Sequence, residues 1–269
     1  MTTLYALGSG SGGNAFAIEC DDAVLLVDAG FSAREIERRA AAVGLGLDRL
    51  AGIALTHEHG DHACGAARLA RRFGAPVVTA SGTWAALAAE LASVTHLPVG
   101  SCGEAQLGPF TVRACPTSHD AADPIALAIH MSDGESVGVA YDLGRPTAAV
   151  RYLLKNLSAL VLEANHDEVQ LRTSEYPPVV QRRIAGSGGH LSNRACAELL
   201  AELHHPGLGV IVLAHLSRRC NTAEMAHETV ARALKRVAFR GTLHVATQDE
   251  PLPPLRVVRP WAVQLQLAL

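Results

Sequence analysis

The chain has little charge of either sign. Only 18% of its residues are charged, and 23 basic against 26 acidic side chains leave a formal net charge of −3. That balance excludes a strongly basic nucleic-acid coat but leaves room for a local basic patch on a mildly acidic surface. Long apolar runs are also missing: the stretch at 209–213 falls far short of the ~20 residues a membrane span needs. The amino-terminal MTTLYALGSGSGGN lacks the basic leader and apolar segment of a targeting signal. Six cysteines (Cys20, Cys64, Cys102, Cys115, Cys196 and Cys220) lie scattered, with no CxxC pair. Reduced thiols in a cytoplasmic protein are expected rather than a disulfide framework, and no membrane partner is expected.

What is present is a globular composition and an excess of one residue. Of the 269 residues 49% are hydrophobic, enough for a substantial buried core. Thirteen histidines stand against four tyrosines and two tryptophans, which directs the search toward metal ligands. Short apolar strands are expected at 3–7, 15–19, 23–27, 53–55 and 76–79, in three segments between 105 and 130, and at 136–141, 159–163, 208–214 and 243–247. Helices are expected at 32–43, with Ser32 and Glu35 as a capping box, and at 63–73, 83–91, 147–156 and 176–184. Two more fall at 192–203, capped by Ser192 or Asn193, and 221–237, capped by Asn221 or Thr222. In each half a mixed run of strands gives way to alternation with helices, the order of an α/β chain with two packed sheets and helices outside. One domain is expected over 1–250, with an appended extension at 251–269 announced by Pro251-Leu252-Pro253-Pro254.

The strongest chemical signal is Thr56-His57-Glu58-His59-Gly60-Asp61-His62, between a buried strand and a helix. Three imidazoles and a carboxylate within six residues suit zinc, manganese or iron better than calcium or magnesium. Four such side chains cannot close a two-metal site alone, so further ligands are expected at later strand ends. His119, Asp142 and His215 each follow an apolar run.

This order, HxHxDH and then a lone His, Asp and His at strand ends, resembles the metallo-β-lactamase superfamily, whose fold is a four-layer αβ/βα sandwich. Four runs are similar to its YycJ/WalJ branch: Gly8-Ser9-Gly10-Ser11-Gly12-Gly13-Asn14, Ser118-His119-Asp120-Ala121-Ala122-Asp123-Pro124, Glu163-Ala164-Asn165-His166-Asp167 and Gly189-His190-Leu191-Ser192-Asn193. That branch, related to tRNase Z and ribonuclease J, is associated with 5′-to-3′ DNA exonuclease activity. The resemblance implies that His57, His59 and His119 hold one divalent ion and Asp61, His62 and His215 a second, with Asp142 bridging. Zinc or manganese would serve. Two such ions ~3.5–4 Å apart share a hydroxide at neutral pH, which Asp61 orients or generates. His190 resembles the His of tRNase Z-type Gly-His-Ser motifs, near the scissile phosphate, and Glu163 is its implied partner.

Other residues carry weaker expectations. Asp28 is expected to brace the ligand loop, and His166 to face the site as a metal contact or phosphate group. Ser9, Ser11 and Asn14, in a glycine-rich loop, and Ser192 and Asn193 are expected to meet substrate. Arg182, Arg183 and Arg194 flank His190, and Arg218 and Arg219 follow His215; they could neutralise phosphates of a nucleic-acid substrate, DNA ends above all. Cys64 is expected as a small buried hydrophobe. The fold hosts many chemistries, so hydrolysis of a small phosphodiester or thioester is the alternative. A silent binding module is the non-enzyme alternative. No insertion large enough for a ribonuclease J-type domain lies between Asp142 and His215.

Overall fold

The computed structural model describes residues 1–100 and 103–260. Side chains alternate across each strand, and both faces are apolar, so each sheet needs cover on two sides. In β1 (Thr3–Gly8), Leu4 and Ala6 join one apolar cluster while Tyr5 and Leu7 join another. The same division runs through β11 (Ala159–Glu163), where Ala159 and Val161 face one cluster and Leu160 and Leu162 a different one.

The first sheet adds β2 (Ala15–Cys20), β3 (Ala23–Val27), β4 (Leu50–Ala54), β5 (Val77–Thr79), β6 (His96–Pro98) and, at the far edge, β14 (Leu255–Arg256), in the order β14-β1-β2-β3-β4-β5-β6. The second holds β7 (Glu104–Leu107), β8 (Phe110–Pro116), β9 (Ile125–Met131), β10 (Ser136–Ala140), β11, β12 (Val210–Ala214) and β13 (Thr242–Val245), in the order β13-β12-β11-β10-β9-β8-β7. The run from β3 to β6 is parallel, as is the run from β10 to β13.

Phe16, Ile18, Phe110, Val112, Val139, Val161 and Val212 fill the space between the sheets. On the outer face of the first sheet, Leu26 and Ile53 meet Ile36 of α1 (Ala33–Ala42) and Leu69 of α3 (Ala66–Phe73). On the second, Leu160 and Leu213 meet Leu199 and Leu200 of α8 (Asn193–Leu203) and Val230 and Leu234 of α9 (Ala223–Arg236). The result is four layers, helix–sheet–sheet–helix. Each fully buried Leu, Val or Phe contributes about 1.5–3 kcal/mol. Among the described residues no helix is long and apolar enough to cross a membrane.

Local signals set most helix starts. Ser32 accepts from Glu35 N, Ser192 from Ala195 N and Thr222 from Met225 N. The shorter helices are α2 (Gly60–Ala63), α4 (Ser81–Ala86), α5 (Ala148–Leu153), α6 (Glu168–Arg172) and α7 (Pro178–Ile184). The helix expected at 83–91 is the shorter α4, and α6 and β6 were not anticipated. The extension from 251 also differs from expectation. Through residue 260 it belongs to the sandwich: β14 pairs with β1, Leu252 N donates to Ala6 O and Val257 N to Thr2 O. Prolines remove donors but leave the intervening amides free to pair at a sheet edge. Residues 261–269 of that extension lie outside the described residues.

The parallel strands deliver their carboxyl ends to one edge of the sandwich, where ligand sites of open α/β sheets form. Gly30, just past β3, shows how tightly the loops there interlock. A Cβ at Gly30 would lie 1.7 Å from the Asp61 carbonyl oxygen. Gly30 N donates to Asn14 O at 2.9 Å, and Asn14 N to Asp61 O at 2.8 Å. Gly30→Ala is therefore expected to lower stability by about 2 kcal/mol or more in denaturant titrations; an unchanged midpoint would refute the interlock.

Candidate metal centre

Three strands turn into the site through residues in the left-handed region. Asp28 follows β3 with φ 56°, Asp142 follows Tyr141 at the end of β10 with φ 50°, and His215 follows β12 with φ 56°. Such backbone is costly for residues other than glycine and persists where its surroundings over-determine it. Here it turns three side chains into one pocket. His57 and Thr56 come from the end of β4, His119 from the loop after β8, and Glu163 is the last residue of β11.

Two sets of donors converge. One ligand atom each from His57, His59 and His119 lie within 4.8 Å of one another, as do those of Asp61, His62 and His215. Asp142 lies between the sets: Oδ2 is 2.9 Å from His62 Nε2 and 3.9 Å from His57 Nε2, and Oδ1 is 3.8 Å from His119 Nε2.

The hydrogen bonds around the imidazoles fix which nitrogen each presents. His57 Nδ1 donates to Thr56 Oγ1 (3.1 Å), His62 Nδ1 to Asp28 Oδ2 (2.7 Å), His119 Nδ1 to Gly189 O (3.4 Å) and His215 Nδ1 to Glu163 Oε1 (2.9 Å). All four therefore turn Nε2 inward. His59 instead brings Nδ1 to 3.0 Å from His57 Nε2.

These atoms fit divalent cations. His215 Nε2 and Asp142 Oδ2 are buried without hydrogen-bond partners, and Asp142 Oδ2 approaches His62 Nε2 out of line for an N–H···O bond. Close approach without hydrogen bonding suits two ligands of one ion. Imidazole with carboxylate is a donor set for zinc or manganese.

Asp28 braces this arrangement. It is fully buried and accepts four hydrogen bonds: Thr56 N to Oδ1 at 2.8 Å, and to Oδ2 Thr56 Oγ1 at 2.8 Å, His62 Nδ1 at 2.7 Å and Tyr141 OH at 2.7 Å. Tyr141 and Thr56 were not singled out in the sequence. Tyr141 was legible only as the last residue of an apolar strand, with its hydroxyl needing a buried acceptor. Burial, together with the charge and hydrogen bond of Asp28, raises the Tyr141 hydroxyl well above its ordinary pKa and keeps it a donor.

At the edge of the cluster Glu163 holds His190. The carboxylate is fully buried, and its Oε1 accepts from both His190 Nδ1 (2.8 Å) and His215 Nδ1 (2.9 Å). Its Oε2 accepts from Leu143 N at 2.9 Å and Leu191 N at 3.0 Å. Burial would raise this carboxyl, but the His190 charge and the two imidazole hydrogen bonds hold it at about 2. Burial would lower His190, yet the Glu163 charge, the hydrogen bond His190 donates to it and the nearby Asp142 carboxylate bring it up to about 10.

Several residues expected to meet substrate are instead turned inward. Ser9 Oγ donates to Asn14 Oδ1 (2.7 Å) and accepts from His215 N (2.8 Å). Asn14, fully buried, donates to Gly10 O at 3.1 Å and lies 3.2 Å from His62 Nε2. Gln248 clamps the same loop by accepting from Gly12 N and donating to Gly13 O, so little of the loop's backbone is left for phosphate. Ser11 alone of the three is exposed. Ser192 caps α8 and donates to Glu168 Oε1 at 2.9 Å, and Asn193 pairs with Asn221. All four buried side chains position loops; a hydroxyl or amide saturated inside the protein has nothing to offer a ligand. His166 is buried with Nδ1 unpartnered, one strand-like rung from Ser192. Cys64 is exposed, not buried, because α2 and α3 leave its side of the turn open to solvent; its Sγ donates to Gly30 O.

Protons and cations compete for this cluster. Burial would lower His62 and His215, but Asp142 with Asp28 raises the first well above its ordinary value, and Asp142, Asp61 and Glu163 bring the second up to about 9. At pH 7.5, below the His215 value, His215 is protonated in the metal-free chain, the upward shift of His62 acts in the same sense, and these imidazoles must lose protons to bind. Adding zinc to the metal-free chain in weak buffer at that pH is expected to release at least one proton per chain, with affinity falling as pH falls. Binding without proton release would refute the assignment.

The chain is similar to known proteins along most of its length. The family model for the metallo-beta-lactamase superfamily matches residues 8–130. Exodeoxyribonuclease YycJ of Bacillus anthracis is 33% identical over 236 residues, 87% of this chain and 89% of that protein. Exodeoxyribonuclease WalJ of Streptococcus pneumoniae is 33% identical over 233 residues, 85% of this chain and 86% of that one. The fold matches metallo-β-lactamase fold protein YhfI from Bacillus subtilis (TM-score 0.70, 18% identity, 93% and 98% coverage) and the short form of human tRNase Z (TM-score 0.63, 15% identity, 94% and 98%). With one third of its residues shared along most of both chains, and histidines and carboxylates gathered at its strand ends, the protein belongs to the metallo-β-lactamase superfamily, among the metal-dependent hydrolases related to YycJ and WalJ.

Proposed function

We propose that the chain is a two-metal phosphodiesterase that removes nucleotides from DNA ends in the 5′-to-3′ direction. The observation that carries this reading is the Glu163–His190 pair standing beside the converging donors, 2.8 Å apart, with His190 also 3.2 Å from Asp142 Oδ1. In this reading His57, His59 and His119 hold one cation, Asp61, His62 and His215 the other, and Asp142 touches both. Cations bound there would acidify water and neutralise charge on the phosphoryl oxygens.

The protein's own groups supply the rest. Asp61 is partly exposed, with Oδ2 3.4 Å from His62 Nε2 and 3.6 Å from His215 Nε2. Burial would raise its carboxyl, but the neighbouring His215 and His62 imidazoles keep it ionised, so it accepts a hydrogen bond from the attacking water and fixes its direction. His190 carries the proton that the departing oxygen takes up, and Glu163 keeps the imidazole charged and aimed. His166, near this pair, contacts the phosphate in the same reading, as does the exposed Ser11.

A nucleic-acid substrate is supported by the names of the curated relatives and by the arginines near the mouth. Arg183, Arg194 and Arg218 are engaged by Asp120, by Glu168 and Glu198, and by Asp249. Arg145 and Arg182 are exposed and have no carboxylate partner among the described residues, and Arg219 lies over the Tyr176 ring at 5.4 Å. These are free to meet phosphates, with an aromatic face alongside.

The test is digestion of 5′-phosphorylated single- and double-stranded DNA, end-labelled at either end, with zinc or manganese and a His59→Ala control. Successive mononucleotides should appear from the 5′ end and vanish in the variant. Hydrolysis of a small phosphodiester or thioester, with DNA untouched, would overturn the reading.

A further inference from the structure

The loop after β11, the start of α8 and the loop after β12 meet around three buried asparagines: Asn165, Asn193 and Asn221. Asn193 and Asn221 face each other as a reciprocal amide pair. Asn193 Nδ2 donates to Asn221 Oδ1 at 2.8 Å, and Asn221 Nδ2 to Asn193 Oδ1 at 2.9 Å. Asn221 Nδ2 also reaches Ala164 O at 2.8 Å and Asn165 O at 3.1 Å. Asn165 Nδ2 donates to His215 O at 2.9 Å, the carbonyl of a residue held at φ 56°. Backbone rungs run alongside: Asn165 N to Leu191 O, Asn193 N to His166 O and Ser217 N to Asn165 O.

Neither member of the Asn193–Asn221 pair hydrogen-bonds a metal donor. What the pair ties together is the backbone on either side of the Glu163 carboxylate. Ala164, bonded to Asn221, adjoins Glu163 in the chain. Asn193 begins the helix that Leu191 and His190 lead into, and Leu191 N and His190 Nδ1 are two of the four donors on Glu163. Apolar side chains of similar volume would fill this space without the cost of desolvating amides. Reciprocal amide bonds instead fix the separation of two segments to within a hydrogen-bond length.

We propose that Asn193 and Asn221 are positioning residues: their amide pair holds the α8 start against the β11 loop, so that His190 stays at bonding distance from Glu163. Asn165 extends the tie to His215. The inference rests on the reading of His190 as proton donor to the leaving oxygen.

The experiment compares two substrates. A DNA phosphodiester leaves as an alkoxide that needs a proton, whereas bis(p-nitrophenyl) phosphate leaves as a stabilised phenolate that does not. In Asn221→Leu, kcat on DNA is expected to fall about 10- to 100-fold, the scale of a misplaced catalytic group. On the activated diester it should fall less than about threefold, with metal content unchanged. His190→Ala should show the same selectivity, more strongly. If His190→Ala depresses both substrates alike, the proton-donor reading fails and takes the inference with it. If His190→Ala is selective but Asn221→Leu depresses both alike or loses metal, the inference alone is overturned, because the amides then serve only the fold. Should Asn221→Leu not fold, Asn193→Ala, which leaves Asn221 bonded to residues 164 and 165, takes its place: a selective loss on DNA supports the tie, and an equal loss on both substrates overturns it.

Discussion

One fully buried carboxylate organises the site. Asp28 sits at the end of β3 with no exposure and receives hydrogen bonds from the next loop and from the opposite sheet. A charge so placed is tolerated only because four donors surround it. Each donor is thereby fixed: Thr56 sets the start of the ligand loop, His62 is locked as an Nδ1 donor with Nε2 facing inward, and Tyr141 pins the strand end that carries Asp142. Without this contact the two sheets would still pack through Phe16, Phe110 and Val161, but their ligand-bearing ends would have no common reference.

The same logic repeats around the pocket. Thr56 orients His57, Gly189 O orients His119, and Glu163 orients His215 and His190. Six imidazoles (His57, His59, His62, His119, His190 and His215) and four carboxylates (Asp28, Asp61, Asp142 and Glu163) then crowd one largely buried pocket. Without cations the charges settle by proton sharing, which is why His62, His190 and His215 move up while Asp61, Asp142 and Glu163 move down. Cations would take over the inward-facing nitrogens and leave the outer hydrogen bonds in place, so the pocket is preorganised by bonds that metal binding need not break.

Much of this was legible from the sequence because the polar residues that matter stand where apolar strands end. His57, His119, Asp142, Glu163 and His215 each follow or close an alternating apolar run, and strand spacing is a short-range property. Whether a side chain at the edge faces ligand or protein is not short-range. Ser9, Asn14, Ser192 and Asn193 look like phosphate-binding residues in sequence, yet their partners are Asp61, His62, His215, Glu168 and Asn221, brought near by tertiary packing alone. Asn221 and Thr222 both read as candidate helix caps; Thr222 performs that task and frees the Asn221 amide for the neighbouring loops. The strand at Leu255–Arg256 was hidden because prolines flank it and only its pairing with β1 makes it a strand.

The most direct test of the central claim is anomalous diffraction from crystals of the zinc- or manganese-loaded protein. Two peaks about 3.5–4 Å apart are expected, one among His57, His59 and His119, the other among Asp61, His62 and His215, with Asp142 between them. The donors of Asp142, Glu163, His190 and His215 also lie within 4.8 Å of one another. A single peak held there by Glu163 and His190 would contradict the two-metal arrangement and remove the proton donor from the mechanism.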